Sequence, residues 1–296
     1  MKENELINII QKYTGAGFIG DDCAYLKDLN IVITQDSLVE NIHFKREWCT
    51  PEQLGYKSVA VNISDVLASG AEPKYITIAL SLPKSVNEDF VEGFYKGAKK
   101  ALKSAVIVGG DITGSKQDIM VSISAIGSTK GRNISSRKNA KYGYAVVTKG
   151  YHGSGAAGLH ELMVNGNNRD LILSHLEPKL EHEFSKALST QITEEYAMMD
   201  TSDGLADALF KIAQSSGVKI KVDYSKIPHL DCVNADQVLF GGEDYKLIAA
   251  VPAKYVNLID NIIPIGYVEK YDGIRLDISG DCYNDYDELN LYTHFK

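Results

Sequence analysis

Aspartates set beside glycine, serine or threonine recur along this chain. They stand in Gly20-Asp21-Asp22, Thr34-Gln35-Asp36-Ser37, Asn62-Ile63-Ser64-Asp65, Gly109-Gly110-Asp111-Ile112-Thr113, Asp200-Thr201-Ser202-Asp203-Gly204 and Gly241-Gly242-Glu243-Asp244. Gly153-Ser154-Gly155 is the weakest of the set. Carboxylate oxygens, with water and phosphate oxygens, are what Mg²⁺ takes as ligands. Glycine lets backbone N–H groups come close to a phosphate. The combination suits a magnesium-bound polyphosphate, and no zinc, thiol-pair or serine–histidine pattern competes with it. The common phosphate signatures are missing: there is no Gly-x-x-x-x-Gly-Lys-Ser/Thr loop, no Gly-x-Gly-x-x-Gly after a strand, and no protein-kinase element. A nucleotide enzyme built this way uses metal carboxylates in place of a phosphate-binding loop.

Each segment also has a plainer reading. Asp21 and Asp22 follow glycine, as turn residues do. Asp36 ends an apolar run, the usual place for functional residues on an α/β sheet, or else a solvated strand end. Asp65 is sharper. It lies between Ile63 and Val66 in an apolar helical pattern, where a buried carboxylate is costly unless something pairs with it. No basic residue stands within a helical turn, so it needs a metal, a partner from elsewhere, or an exposed face. Asp200 and Asp203 share a face if a helix has begun between them; alternatively Ser202 caps that helix and Asp203 favours its positive end. Gly110 and Asp111 follow a strand, with a plain turn as the alternative. His43 reads as a structural histidine or a ligand contact. Arg132, Arg137, Lys138 and Lys141 form a basic run, either a solvated connection or a set of phosphate partners.

The elements that must hold these residues alternate. Residues 31–34 form a strand. Thr50 caps and Pro51 opens a helix that Gly70 ends. Residues 75–82 form a strand stopped by Pro83, and a helix from Asn87 runs to about 103. Val106-Ile107-Val108 reads as a buried strand delivering Gly109-Gly110-Asp111, and residues 120–126 alternate as a half-buried strand. Residues 131–142 are polar and aperiodic and place a domain boundary, giving 1–139 and 140–296. The second half reads as strand 144–148, helices near 154–165 and 177–189, a helix beginning near Ser202, and strands near 218–222 and 245–251. The fold class is α/β or α+β in two domains. Ser64-Asp65-Val66-Leu67-Ala68 echoes Ser202-Asp203-Gly204-Leu205-Ala206, and Gly109-Gly110-Asp111 echoes Gly241-Gly242-Glu243, which leaves an internal duplication open.

The chain has 296 residues and a formal net charge of −8. That balance argues against a nucleic-acid coat. The four cysteines are far apart, as reduced thiols of a cytoplasmic protein are. No apolar run reaches the roughly 18 residues of a membrane span, and residues 1–11 read as a short amphipathic helix without a cleavage site.

Taken in order, the stretches Gly20 to Ala24, Thr34 to Phe44, Lys57 to Asp65, Gly70 to Pro73, Gly109 to Thr113, Asp200 to Leu205 and Gly241 to Tyr245 resemble thiamine-monophosphate kinase, of the aminoimidazole-ribonucleotide synthase superfamily. The resemblance runs nearly end to end. It implies a mixed-sheet N-terminal domain that dimerises, holding ATP and metal, and an α/β C-terminal domain that completes the site. It implies transfer of the γ-phosphate of ATP to thiamine monophosphate, the last step of thiamine diphosphate biosynthesis. By the resemblance, Asp22, Thr34, Asp36, Asp65, Asp111, Asp200 and Asp203 are ligands of several Mg²⁺ ions. Tyr95, Gly110, Asp111, Arg137 and Ser202 contact ATP, and His43, Glu243 and Tyr292 contact thiamine monophosphate. The expected assembly is a homodimer, with no nucleic-acid or membrane partner. The chain departs from the family's pattern at Gln35, Gly114 and Gly155.

No residue stands out as a nucleophile, and a phosphate oxygen ionised at neutral pH needs no general base. Direct in-line transfer is the expected mechanism. The alternatives are another ATP-using member of the superfamily with a different acceptor, and a non-catalytic Mg-nucleotide-binding protein. A structural module gives no reason for so many isolated carboxylates.

Overall fold

The computed structural model describes residues 3–14 and 17–292. Along the chain run α1 (Glu3–Thr14), β1 (Ala24–Leu26), β2 (Ile31–Val39), α2 (Pro51–Ala68), β3 (Glu72–Leu82), α3 (Glu88–Ala101), β4 (Val106–Gly114) and β5 (Met120–Ser128). The second half adds β6 (Tyr144–Thr148), α4 (Ser154–Met163), α5 (Arg169–Leu176), α6 (His182–Gln191), β7 (Ala197–Asp200), α7 (Leu205–Ser216) and β8 (Val218–Val222). It closes with α8 (Ala235–Phe240), β9 (Leu247–Pro252), β10 (Ile263–Lys270), β11 (Leu276–Ile278) and β12 (Asp281–Tyr283). The N-terminal helix continues past the expected residue 11, and Met1 and Lys2 lie outside the described residues.

The fold is mixed α/β, with two mixed sheets among the described residues. The first has the order β1-β2-β5-β3-β4, antiparallel except for the β3–β4 pair. The second has the order β12-β11-β8-β10-β6-β9-β7, with β11–β8 its parallel pair. Side chains alternate across a strand. On the first sheet Val32, Ile76, Ile78, Leu80, Val121 and Ile123 point to one buried face, which α2 covers. In β9 both faces are buried: Leu247, Ala249 and Val251 join the core shared with the first sheet, while Ile248 and Ala250 join a second core around α7.

Helix α2 is therefore the central piece. The Thr50 side chain accepts the N–H of Gln53, and the Gln53 side chain accepts the N–H of Thr50, a reciprocal cap with Pro51 in the first turn. Its polar residues form two stripes. Asn62 and Asp65 face β2, whereas Lys57 and Ser64 face the C-terminal half.

Two expectations need correction. Val106 and Val108 lie on an edge strand and are 49% and 56% exposed, so β4 is not a buried strand in this chain. The helix expected near 177–189 is α6, which begins only at His182, beyond Pro178, while α5, capped by Asn168, was not expected. The internal echo has no structural counterpart, since Ser64 and Asp65 lie in the last turns of α2 while Ser202 and Asp203 precede α7.

Candidate active site

Carboxylates from three elements meet beside α2. Oxygens of Asp22 (before β1), Asp65 (α2) and Asp200 (the end of β7) lie within 4.8 Å of one another. Thr34 Oγ1 donates to Asp65 Oδ2 at 2.6 Å, and Ser64 Oγ donates to Asp200 Oδ2 at 2.5 Å. The other Asp200 oxygen, Oδ1, is buried without a hydrogen-bond partner. Arg137 Nη2 donates to Asp22 Oδ1 at 2.9 Å, while the Arg137 backbone N–H donates to Asp21 at 2.8 Å.

Crowded, buried carboxylates hold their protons. Burial, then Asp36, Asp200 and Asp22, push the Asp65 carboxyl well above the usual range, against the Thr34 bond. Asp200 is pushed up to about 7, by burial first and then Asp22, with the Ser64 bond opposing. Asp22 is also raised by burial, although Arg137 pulls it back. Like charges cannot share such a site without a counter-charge. A buried, all-oxygen donor set with an unused oxygen fits a hard divalent cation.

Two clefts adjoin this group. The larger, about 620 Å³, is lined by Phe18, Asp21, Asp22, Arg137 and Lys138 among others. The smaller, about 250 Å³, gathers Asp36, His43, Lys57, Ser202, Asp203, Glu243 and Tyr245. Asp36 is pushed up to about 6 by burial, then by Asp203, Asp22 and Glu243. Its backbone N–H donates to Asn62 Oδ1 at 2.9 Å. His43 Nδ1 accepts the Val39 N–H at 3.0 Å, so its neutral ring carries the proton on Nε2. Asp203 is 59% exposed and pairs with Lys211 at 3.3 Å. Ser202 does not cap α7; Gly204 occupies that position with no side-chain bond. The Ser202 carbonyl instead accepts the Glu243 N–H at 2.7 Å.

Glu243 holds a left-handed φ of 71°, a conformation uncommon for a residue with a side chain. Its carboxylate pairs with the Lys57 ammonium and accepts from Tyr245 Oη at 3.1 Å. Burial alone would raise this carboxyl, but the Lys57 ammonium holds it below the usual range. The next residue, Asp244, accepts the N–H groups of Gly153 and Gly155 at 2.5 and 2.7 Å. A Cβ on Gly155 would collide with the Glu243 carbonyl, so the glycine that departs from the family's pattern suits this backbone. Gln35 points to the open face of the first sheet, bonded to Ser122 and Ser124.

Other residues singled out from sequence do not gather here within one chain. Asp111 lies exposed on β4, paired with Ala79, with Gly110 beside it. Tyr95 sits on α3 with its ring edge-on to Phe94, and Tyr292 is 72% exposed. Sequence reasoning missed Lys57, Asn62, Ser64, His175 and Tyr245. Lys57 and Asn62 carried the same signal as Asp65, a polar group in an apolar helical run. His175 had none, because its partner is far away in the chain. Behind Lys57 and His175 a small void is walled by Phe44, Trp48, Cys49 and Leu54, with the Lys45 ammonium 4.5 Å from the Trp48 ring centre.

Residues 20–129 match the family described as AIR synthase related protein, N-terminal domain. Thiamine-monophosphate kinase of Aquifex aeolicus is 34% identical, covering 92% of this chain and 93% of that protein. The enzyme of that name from Bacillus subtilis is 30% identical, with 94% and 93% covered. Among solved structures, AaThiL complexed with AMPPCP and TMP superposes with a TM-score of 0.89 at 32% identity, covering 99% of this chain and 97% of that one.

Proposed function

The chain belongs to the thiamine-monophosphate kinase family, and on that premise we propose that it transfers the γ-phosphoryl group of ATP to thiamine monophosphate, completing thiamine diphosphate. The observation that carries the reading is the convergence of Asp22, Asp65 and Asp200, with one buried oxygen unused, beside a pocket that holds His43 and Glu243. A relative solved with AMPPCP, a methylene analogue of ATP, and TMP supports both substrates.

Asp22, Asp65 and Asp200, with Asp36, Asp203 and Thr34 at the rim, would hold Mg²⁺. Bound there, magnesium supplies charge neutralisation for the polyphosphate. The chain's own residues orient the reactants. Arg137 lines the larger cleft and offers a guanidinium to ATP phosphate, while Ser202, which lines the smaller cleft, is the other ATP contact in this reading. His43, through Nε2–H, and Glu243 position thiamine monophosphate. An oxygen of the acceptor phosphate attacks the γ-phosphorus. The bond to the bridging oxygen breaks, and ADP leaves with that electron pair.

The protein acts as a homodimer in this reading, because the open face and β4 edge of the first sheet carry Tyr75, Val106, Val108, Ile112 and Met120 exposed. Asp111, Gly110, Tyr95 and Tyr292 would then reach a site only through a second copy or a change of conformation. Free cysteines support a cytoplasmic setting, and no helix among the described residues is long and apolar enough to cross a membrane.

The test is product formation with purified protein, ATP, Mg²⁺ and thiamine monophosphate. Thiamine diphosphate and ADP should form in equal amounts and stop with EDTA. Asp200→Asn should lose at least about a hundredfold in kcat, about 2.7 kcal/mol of barrier. Turnover that survives chelation sinks the metal role. ADP release only with another acceptor sinks the substrate.

A further inference from the structure

The smaller cleft is acidic, bordered by Asp36, Asp203 and Glu243, yet the proposed acceptor brings a phosphate into it. Lys57 is the one lysine or arginine among its described lining residues. It is 3% exposed, and its ammonium is held from two sides. Glu243 pairs with it, and His175 Nε2 lies at 3.0 Å. The tautomer of His175 follows from its other nitrogen. Nδ1 lies 3.2 Å from the Gly155 carbonyl and must donate there, so Nε2 accepts from Lys57. Burial, then Lys57, push His175 down to about 4, so the ring stays neutral.

An ammonium has three hydrogens. One goes to His175, Glu243 pairs with the ammonium from another side, and no further acceptor of Lys57 lies among the described residues. A lysine needed only to neutralise Glu243 would not require the second clamp. We propose that Lys57 is a catalytic residue of the transfer, its third N–H donating to the phosphate of the acceptor while His175 and Glu243 fix its direction. This role rests on the function proposed above. Lys57 keeps all its protons: the attacking oxygen forms its bond to the γ-phosphorus, ADP leaves with the electron pair of the broken bond, and the ammonium offsets charge on the phosphate.

The experiment compares Lys57→Met with the parent in equilibrium binding of thiamine monophosphate and of thiamine, the same molecule without phosphate, in Mg²⁺. A lost hydrogen bond to a charged group should weaken thiamine monophosphate roughly tenfold to a hundredfold and leave thiamine within about twofold. Equal losses for both ligands would overturn the proposal, because Lys57 would then merely hold Glu243. If Lys57→Met does not fold, Lys57→Met with Glu243→Gln is compared with Glu243→Gln alone, and the same ratio is read. Failure of both to fold assigns Lys57 to the core and ends the proposal. Failure of the parent to turn over thiamine monophosphate rejects the functional reading, and this role with it. Turnover with an unchanged ratio rejects the role of Lys57 alone.

Discussion

Asp244 shows how far a single buried carboxyl can bias the folded state. Burial pushes it up to about 7, although the Gly155 and Gly153 N–H groups and Lys246 pull the other way. In the unfolded chain it titrates near the ordinary 3.8. Between those values the unfolded state has released its proton and the folded state still holds it. Stability contributed by this group is therefore lost as pH rises from 3.8 to about 7, and is level above. Asp244→Asn removes the titration. Whatever fixed deficit the variant has from its altered cap on α4, that deficit should shrink as pH rises through the window. Melting both proteins from about pH 5 to about pH 8 tests this, and a deficit that widens would contradict the assignment. At this scale the sequence was partly legible. A carboxylate in an apolar helix announced Asp65, and Gly-Asp pairs announced Asp22. The exposure of Asp111 was not legible, because it depends on which strand lies at the sheet edge.

The element that decides the site is α2. It presents Asn62 and Asp65 to the first sheet and Lys57 and Ser64 to the second half, so its placement sets both clefts. Glycines let it sit close to α3: a Cβ on Gly97 would strike the Glu52 carbonyl, and one on Gly55 the Phe94 carbonyl. Gly97→Ala should gain helix propensity of about 1 kcal/mol but lose more by overpacking, about 1–3 kcal/mol. The net expectation is a lower urea midpoint together with lower kcat, since α2 carries Asp65. A stabilised variant would mean that the helices part without cost. Strands at 31–34, 75–82, 120–126 and 144–148 were legible from apolar runs and alternation, as was the Thr50-Pro51 helix start. The β4 run looked buried because Val-Ile-Val is equally apolar at an open edge. Strands β11 and β12 went unread because they are only three residues long each, and the eight-residue β10 went unread as well.

For the whole molecule, the first sheet ends at Ser128 and the second begins at Tyr144, yet one core spans both. Val32, Ile78 and Ile123 of the first sheet share one cluster with Phe184, Met198 and Leu247 of the second half. The metal-type carboxylates follow the same rule, since Asp200 comes from the second half and Asp22 and Asp65 from the first. Unfolding should accordingly be one transition, with calorimetric and van't Hoff enthalpies in agreement. Two resolved heat-absorption peaks would show that each half folds alone. The α/β class was readable from alternating elements. The strand order β1-β2-β5-β3-β4 was not, because pairing partners far apart in the chain leave no local signal.

The chain contains a single tryptophan, and Trp48 shares its void with Lys57 and His175. Its consequence is optical. A phosphate drawn against Lys57 would alter the field felt by the indole, so emission from one known position would follow ligand arrival without any label. Binding steps faster than product formation would then be separable in time, by rapid mixing alone.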